Sequence, residues 1–194
     1  MRDTETDVVI PDLNVRGKAD RVDETDELVR VVDYKTGYLD ESPTAYYTGR
    51  RLQLELYLLA SSEEKEPAGA FYFPAADSFQ KEGGGARFAM KGFYNADQTA
   101  AFDTACGQGE RSELYESGNG LAGGDFRDFL EYGRLVAGQA EEEMRAGNAA
   151  PSPYGSACER CSFQSLCAFT GTPREENTVR CAEITKIVRE KKGG

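Results

Sequence analysis

Leu28-Val29-Arg30-Val31-Val32-Asp33-Tyr34-Lys35-Thr36-Gly37 decides how the rest of the chain is read. Its first half is dense in β-branched residues, the composition of a buried strand. Asp33 and Lys35 are two residues apart, so on a strand both side chains leave the same face. Upstream, Val15 to Val22 alternates well enough for a second strand and carries Gly17-Lys18-Ala19-Asp20-Arg21-Val22-Asp23. The acidic run Asp23–Glu27 between the two reads as a hairpin-like turn. Pairing them antiparallel around it brings Asp20 close to opposite Asp33. Val8-Val9-Ile10, stopped by Pro11-Asp12, adds a strand in front. The first 35 residues are therefore expected to form a β-meander.

Two carboxylates that close repel each other unless a cation lies between them. Mg²⁺ prefers oxygen ligands and keeps several of its waters, which suits Asp20, Asp33 and a backbone carbonyl such as that of Tyr34. Lys35 would orient or deprotonate an attacking water and offset transition-state charge. The set fits metal-assisted phosphodiester hydrolysis. Taken alone, Asp-x-Lys fits an exposed hairpin with an ordinary ion pair better; the wider pattern is what favours chemistry.

After residue 45 the period changes. Leu52, Leu56 and Leu59 fall at i, i+4 and i+7, and predict a helix over 45–61. Gly69 to Phe73 reads as a strand stopped by Pro74, Gly83 to Gly85 as a turn, and Arg87 to Phe93 as the partner strand. A short helix is expected over 97–105 and a polar loop over 108–124. Asp125 would cap a long helix to Ala146, with Phe126, Phe129, Leu130, Gly133, Val136, Ala137, Ala140 and Met144 inward. Residues 171–194 are charged and are expected to fray. A block of strands followed by helices argues for a mixed α/β fold and against a doubly wound parallel sheet.

Composition narrows the chemistry. The 194 residues hold 23 Lys plus Arg against 34 Asp plus Glu, a formal charge of −11. Binding nucleic acid by bulk charge is disfavoured, so an anion must be held by a local basic patch or a metal. There is no histidine, which excludes from this chain a Ser-His-Asp triad, a Cys-His dyad and an HExxH zinc site. No run of 18 apolar residues is present, so no membrane span is expected. The acidic, polar start is unlike a signal peptide, and a cytoplasmic location is expected. Of five cysteines, Cys158, Cys161 and Cys167 crowd into ten residues. That spacing favours a metal site over a disulfide framework.

Gly17-Lys18-Ala19-Asp20-Arg21-Val22-Asp23, then Val31-Val32-Asp33-Tyr34-Lys35-Thr36-Gly37, then Arg50-Arg51-Leu52-Gln53-Leu54-Glu55-Leu56-Tyr57 resembles the PD-(D/E)XK nuclease superfamily in its RecB-like branch. The resemblance implies a restriction-endonuclease-like core, a central mixed sheet flanked by helices, here without the family's first helix. It implies metal binding by Asp20 and Asp33, catalysis by Lys35, and DNA contact by Gln53 and Tyr57 on one helix face. Arg50 and Arg51 could grip phosphates beside them, or simply be a solvated helix face. Arg16, Lys18 and Arg21 add positive charge near Asp20.

The cysteine tail makes the pattern most similar to the nuclease domain of the AddB subunit of bacterial helicase–nucleases, over roughly residues 8–170. A stand-alone exonuclease of the CRISPR-adaptation type and a non-catalytic module of the same fold are the alternatives. The AddB likeness implies a Mg²⁺ (or Mn²⁺) deoxyribonuclease acting on DNA ends in double-strand break repair, with a helicase–nuclease partner subunit. It also implies a [4Fe–4S] cluster on Cys158, Cys161, Cys167 and one earlier cysteine. No cysteine precedes Asp20; Cys106 and Cys181 are the substitutes, Cys181 being nearer in sequence. The missing cysteine and helix lead to the expectation of a nuclease domain over 1–170, in a chain that is a piece of a longer protein and holds the cluster only as part of it. Gly118 to Gly123 matches G-x-G-x-x-G literally, but no apolar strand precedes it, so it reads as a loop. No G-x4-G-K-[ST] occurs, so this chain is not expected to hydrolyse ATP by itself.

Overall fold

The structure is a computed structural model and describes residues 6–37, 41–75, 89–107, 110–116, 118–167 and 169–193. Among the described residues, seven strands are arranged in two sheets. β1 (Thr6–Ile10) and β2 (Val15–Ala19) form an antiparallel hairpin, with Asn14 in the left-handed region at the turn (φ 49°). β3 (Arg21–Glu24), β4 (Leu28–Lys35), β5 (Glu66–Pro74), β6 (Lys91–Asn95) and β7 (Gly120–Leu121) form the main sheet in that order. β3–β4 and β5–β6 are antiparallel; β4–β5 and β6–β7 are parallel. The architecture is the mixed α/β expected from the sequence.

The expected strand over 15–22 breaks at Asp20. Its first part pairs with β1 and its second with β4. The meander is therefore two hairpins that change sheet at an aspartate. Periodicity could not show this, because alternation continues through the break.

β4 buries six residues in a row, Leu28 to Asp33, because both of its faces are covered. Val29 and Val31 join Leu54, Leu58, Ala70, Phe93 and Phe129 in the main core. Val32 joins Phe71, Met90, Tyr94 and Tyr115 in a second cluster on the other face. Continuing the alternation, Asp33 and Lys35 share the face of Val29 and Val31, the one that packs against helix.

The helix expected over 45–61 is two helices, α1 (Pro43–Tyr47) and α2 (Gln53–Ser61), which together make the crossover between β4 and β5. Gly49, at φ 74°, turns the chain between them in a conformation that costs a side-chain-bearing residue more. Leu54, Leu56 and Leu58 are the buried leucines of α2, while Leu52 precedes it. The Leu52/Leu56/Leu59 stripe does not mark the inner face because α2 is apolar almost all round. Tyr46 ties α1 to α3 (Gly123–Arg145): its hydroxyl donates to the Phe129 carbonyl at 2.7 Å and its ring stacks on Phe129 at 4.3 Å.

Ala122, not Asp125, is the N-cap of α3. Phe126, Phe129, Leu130 and Gly133 face inward as expected, whereas Ala140 is exposed and Met144 is 71% exposed, because the last turns project past the core. The expected helix over 97–105 is a 3-10 segment, Ala96–Ala101. The turn at 83–85 and residues 87–88 lie outside the described residues. The tail expected to fray contains α5 (Cys181–Lys192), with Ile184 and Val188 wholly buried against α3. Each such burial contributes about 1.5–3 kcal/mol, enough to hold a charged helix in place. A four-residue helix, α4 (Gln164–Cys167), lies in the cysteine tail.

Candidate active site

Arg21 pairs with Val32 across the β3–β4 ladder, so the next position outward sets Asp20 opposite Asp33. Asp20 is exposed, and its Oδ2 accepts the Tyr34 backbone N–H at 3.0 Å. Its carboxyl lies within hydrogen-bonding reach of the Asp33 carboxyl. Asp33 is 2% exposed. Its Oδ1 accepts from Gln53 Nε2 at 3.4 Å, and its Oδ2 lies 2.6 Å from Lys35 Nζ. That oxygen is buried, and the Lys35 ammonium is its charge partner. Burial pushes the Asp33 carboxyl above its ordinary pKa; Lys35 opposes this and Asp20 adds to it.

Two carboxyl groups stand side by side, one of them buried, with a single ammonium placed on Asp33. This is a donor set that suits a divalent cation. Asp20, Asp33 and the carbonyl of Tyr34, between Asp33 and Lys35 in the chain, are the residues that could hold it.

Other expected residues separate. Gln53, at the first turn of α2, reaches Asp33. Tyr57 lies one turn further along α2. Its ring covers Gly17, where an added Cβ would come 2.5 Å from the Tyr57 hydroxyl. Tyr57 therefore braces the strand that leads to Asp20, and Gly17 makes room for it. Arg50 is held by Glu176 and by Thr48 Oγ1. Arg51 makes no side-chain hydrogen bond or ion pair among the described residues, and its charge acts on Tyr72. Arg21 is committed to Asp23 and to the Tyr34 hydroxyl, and those two hydrogen bonds, Asp23's first, raise its pKa.

Three residues were missed by the sequence reading. Tyr72 pairs with Asp33 on β5, and Lys35 Nζ stands 5.5 Å over its ring. Lys91 pairs with Tyr72 on β6. Glu55 is 1% exposed with Oε1 unpartnered; burial first, and Glu41 second, push its carboxyl well above the ordinary range. Only Glu55 left a signal, an acid inside the apolar run of α2.

A cleft of about 830 Å³ is lined by Asp7, Arg21, Asp23, Arg30 and Phe102 among others and contains none of Asp20, Asp33 or Lys35. Arg30 fills its floor, bonded to Asp23 and to the Tyr115 hydroxyl and stacked over Phe102 at 4.6 Å. The carboxylates lie outside this cleft, near the C-terminal end of β4, Asp20 exposed and Asp33 buried.

Over residues 2–168 the chain matches the model of the PD-(D/E)XK nuclease superfamily. The chain belongs to that superfamily. An ATP-dependent helicase/deoxyribonuclease subunit of the AddB type from Alkaliphilus metalliredigens is 28% identical, covering 80% of this chain and 17% of its own length. The protein of the same name from Symbiobacterium thermophilum is 29% identical, over 80% of this chain and 16% of its own. That of Bacillus licheniformis is 30% identical, over 88% and 18%. The chain thus spans about a sixth of the length of these relatives. The superfamily's general use of divalent metals agrees with the carboxylate pair.

The expected cluster ligands do not converge. Cys158 is half-buried, Cys161 and Cys167 are exposed, and none is in a disulfide. Among the described residues no three Cys, Asp or Glu side chains gather so as to hold a metal ion. The cysteine geometry gives the iron–sulfur cluster no support. Neither substitute ligand changes this. Cys106 donates to the Glu110 carbonyl, and burial raises the Cys181 thiol to about 11. No helix among the described residues is long and apolar enough to cross a membrane.

Proposed function

We propose that this nuclease domain hydrolyses DNA phosphodiesters with Mg²⁺ or Mn²⁺ held by Asp20, Asp33 and the Tyr34 carbonyl. The observation that carries the reading is the register that sets Asp20 opposite Asp33 on adjacent strands, with the Asp33 carboxyl buried and the Lys35 ammonium 2.6 Å from it. When bound, the metal supplies a water of lowered pKa and Lewis-acid stabilisation of the phosphoryl oxygens. Lys35 donates to the attacking water and to a non-bridging oxygen as negative charge builds there. Water oxygen bonds to phosphorus as the scissile P–O bond breaks; the proton the water gives up passes to solvent, and the departing oxygen takes a proton from solvent to leave as a hydroxyl. Gln53 holds the Asp33 carboxylate in orientation, and Arg51 contacts backbone phosphate.

The relatives' name supports placing this domain in an AddB-like subunit of a cytoplasmic helicase–deoxyribonuclease. There it would process DNA ends for double-strand break repair and recombination, beside a partner subunit and the rest of its own chain. In the full-length protein, Asp33→Asn is expected to reduce metal-dependent DNA cleavage at least about a thousandfold, with the unwinding activity retained. Cleavage at the wild-type rate would contradict the reading.

A further inference from the structure

Asp33, Tyr72 and Lys91 form one row across β4, β5 and β6, on the sheet face that carries the carboxylates. Paired residues on neighbouring strands share a face, and strands lie about 4.8 Å apart, so Lys91 Cα stands roughly 10 Å from that of Asp33. That is about three steps of one DNA strand at about 3.4 Å each. The row does not end at Lys91. Tyr115 bridges Met90 in parallel, which sets Glu116 next to Lys91, and their charged groups are 3.5 Å apart. Both side chains are well exposed, 37% and 47%, so this is a loose surface pair that contributes little.

Tyr72 is itself buried, 1% exposed, and has both acids (Glu41, Glu55 and Asp33) and cations near it. Lys35 stands over its ring, Arg51 acts on it from the start of α2, and Lys91 is its partner on β6. Lys35 is engaged at Asp33, Arg51 has no side-chain partner among the described residues, and Lys91 has only the loose contact with Glu116. In a chain of charge −11, Lys35 and Lys91, part-exposed near the ends of neighbouring strands beside the carboxylate pair, are cations that an anionic polymer can meet there.

We propose that Lys91 holds a backbone phosphate of the DNA strand, directing it from the Asp20–Asp33 pair along the ends of β4 and β5 towards β6, and that Glu116 occupies the Lys91 ammonium until DNA displaces it. The assignment rests on the nuclease reading and adds the path of the strand to it. Lys91 is a positioning residue: it touches phosphate away from the bond that breaks.

The test is cleavage kinetics of the full-length protein on linear DNA between 50 and 200 mM salt. Lys91→Ala is expected to raise KM about fivefold, one phosphate's share of a multi-contact interface, with kcat little changed. The log–log salt dependence should flatten by about 0.7–0.9, the loss of one counterion-releasing contact. Lys91→Arg should restore both. Glu116→Gln should lower KM, and that gain should vanish when Lys91→Ala is added. Lys65→Ala, which removes a cation paired with Glu24 far from the row, should change neither quantity. If Lys91→Ala keeps the wild-type KM and slope while Asp33→Asn abolishes cleavage, the phosphate assignment falls and the nuclease reading stands. Glu116→Gln without effect on KM would likewise overturn the masking role. Cleavage that survives Asp33→Asn overturns both.

Discussion

A carboxyl group sealed beneath a helix, as Glu55 is, makes stability depend on pH in a direction opposite to that of a salt-bridged acid. Folded, Glu55 keeps its proton to a higher pH than its ordinary value of 4.5. Between those two pKa values folding takes up a proton, so its cost is absent below about 4.5 and grows as pH rises towards the folded value. Glu55→Gln retains the shape and removes the charge. The account predicts a higher midpoint of thermal unfolding for Glu55→Gln at pH 8 than for the wild type, and a smaller difference at pH 5. The slope removed is at most about 1.4 kcal/mol per pH unit. An identical pH profile for the two proteins would show that Glu55 ionises freely. Asp33 and Lys35 could be read from sequence because strand alternation alone puts them together. Lys91 could not, since its alignment with Asp33 depends on the register of two further strand pairs.

At the scale of elements, β1, β4 and β5 were legible, whereas the change of sheet at Asp20, β7 within the expected loop 108–124 and the ends of helices were not. Val29, Val31 and Val32 declare a strand by composition, and β5 is bounded by its own Pro74. α2 has leucines on every side, so no periodicity could locate its inner face. α5 looked like a solvated tail because Lys186, Arg189, Lys191 and Lys192 dominate it. Yet Ile184 and Val188, four apart, make one apolar stripe, and Arg189 and Lys192 close on Asp128 of α3 at 2.7 and 2.9 Å. The same segment carries Glu176, which holds Arg50, and Val179, whose N–H donates to Thr44 Oγ1 at 2.9 Å. The C-terminal segment therefore braces the approach to α2. Ile184→Ala is expected to cost about 2–4 kcal/mol in denaturant unfolding. A change below about 0.5 kcal/mol would mean that α5 is only laid against the surface.

Taken whole, the molecule is acidic, and at the end of β4 its cations Lys35, Arg51 and Lys91 stand among acids, Asp20, Asp33, Glu41, Glu55 and Glu116, so an anionic polymer must be met by those cations together with any bound metal. The family could be recognised from three short motifs because they hold the groups that meet at the end of β4. The sequence could not show that Tyr57 braces Gly17 and leaves Gln53 to reach Asp33, since i, i+4 spacing states only that two side chains share a helix face. The function proposed for the domain returns to the charge deficit at Asp20 and Asp33. The most direct measurement is anomalous diffraction from crystals soaked in Mn²⁺. A manganese peak is expected between the two aspartates, about 2.0–2.4 Å from an oxygen of each. Saturating Mn²⁺ with no peak there, or with Lys35 filling that position, would contradict the account.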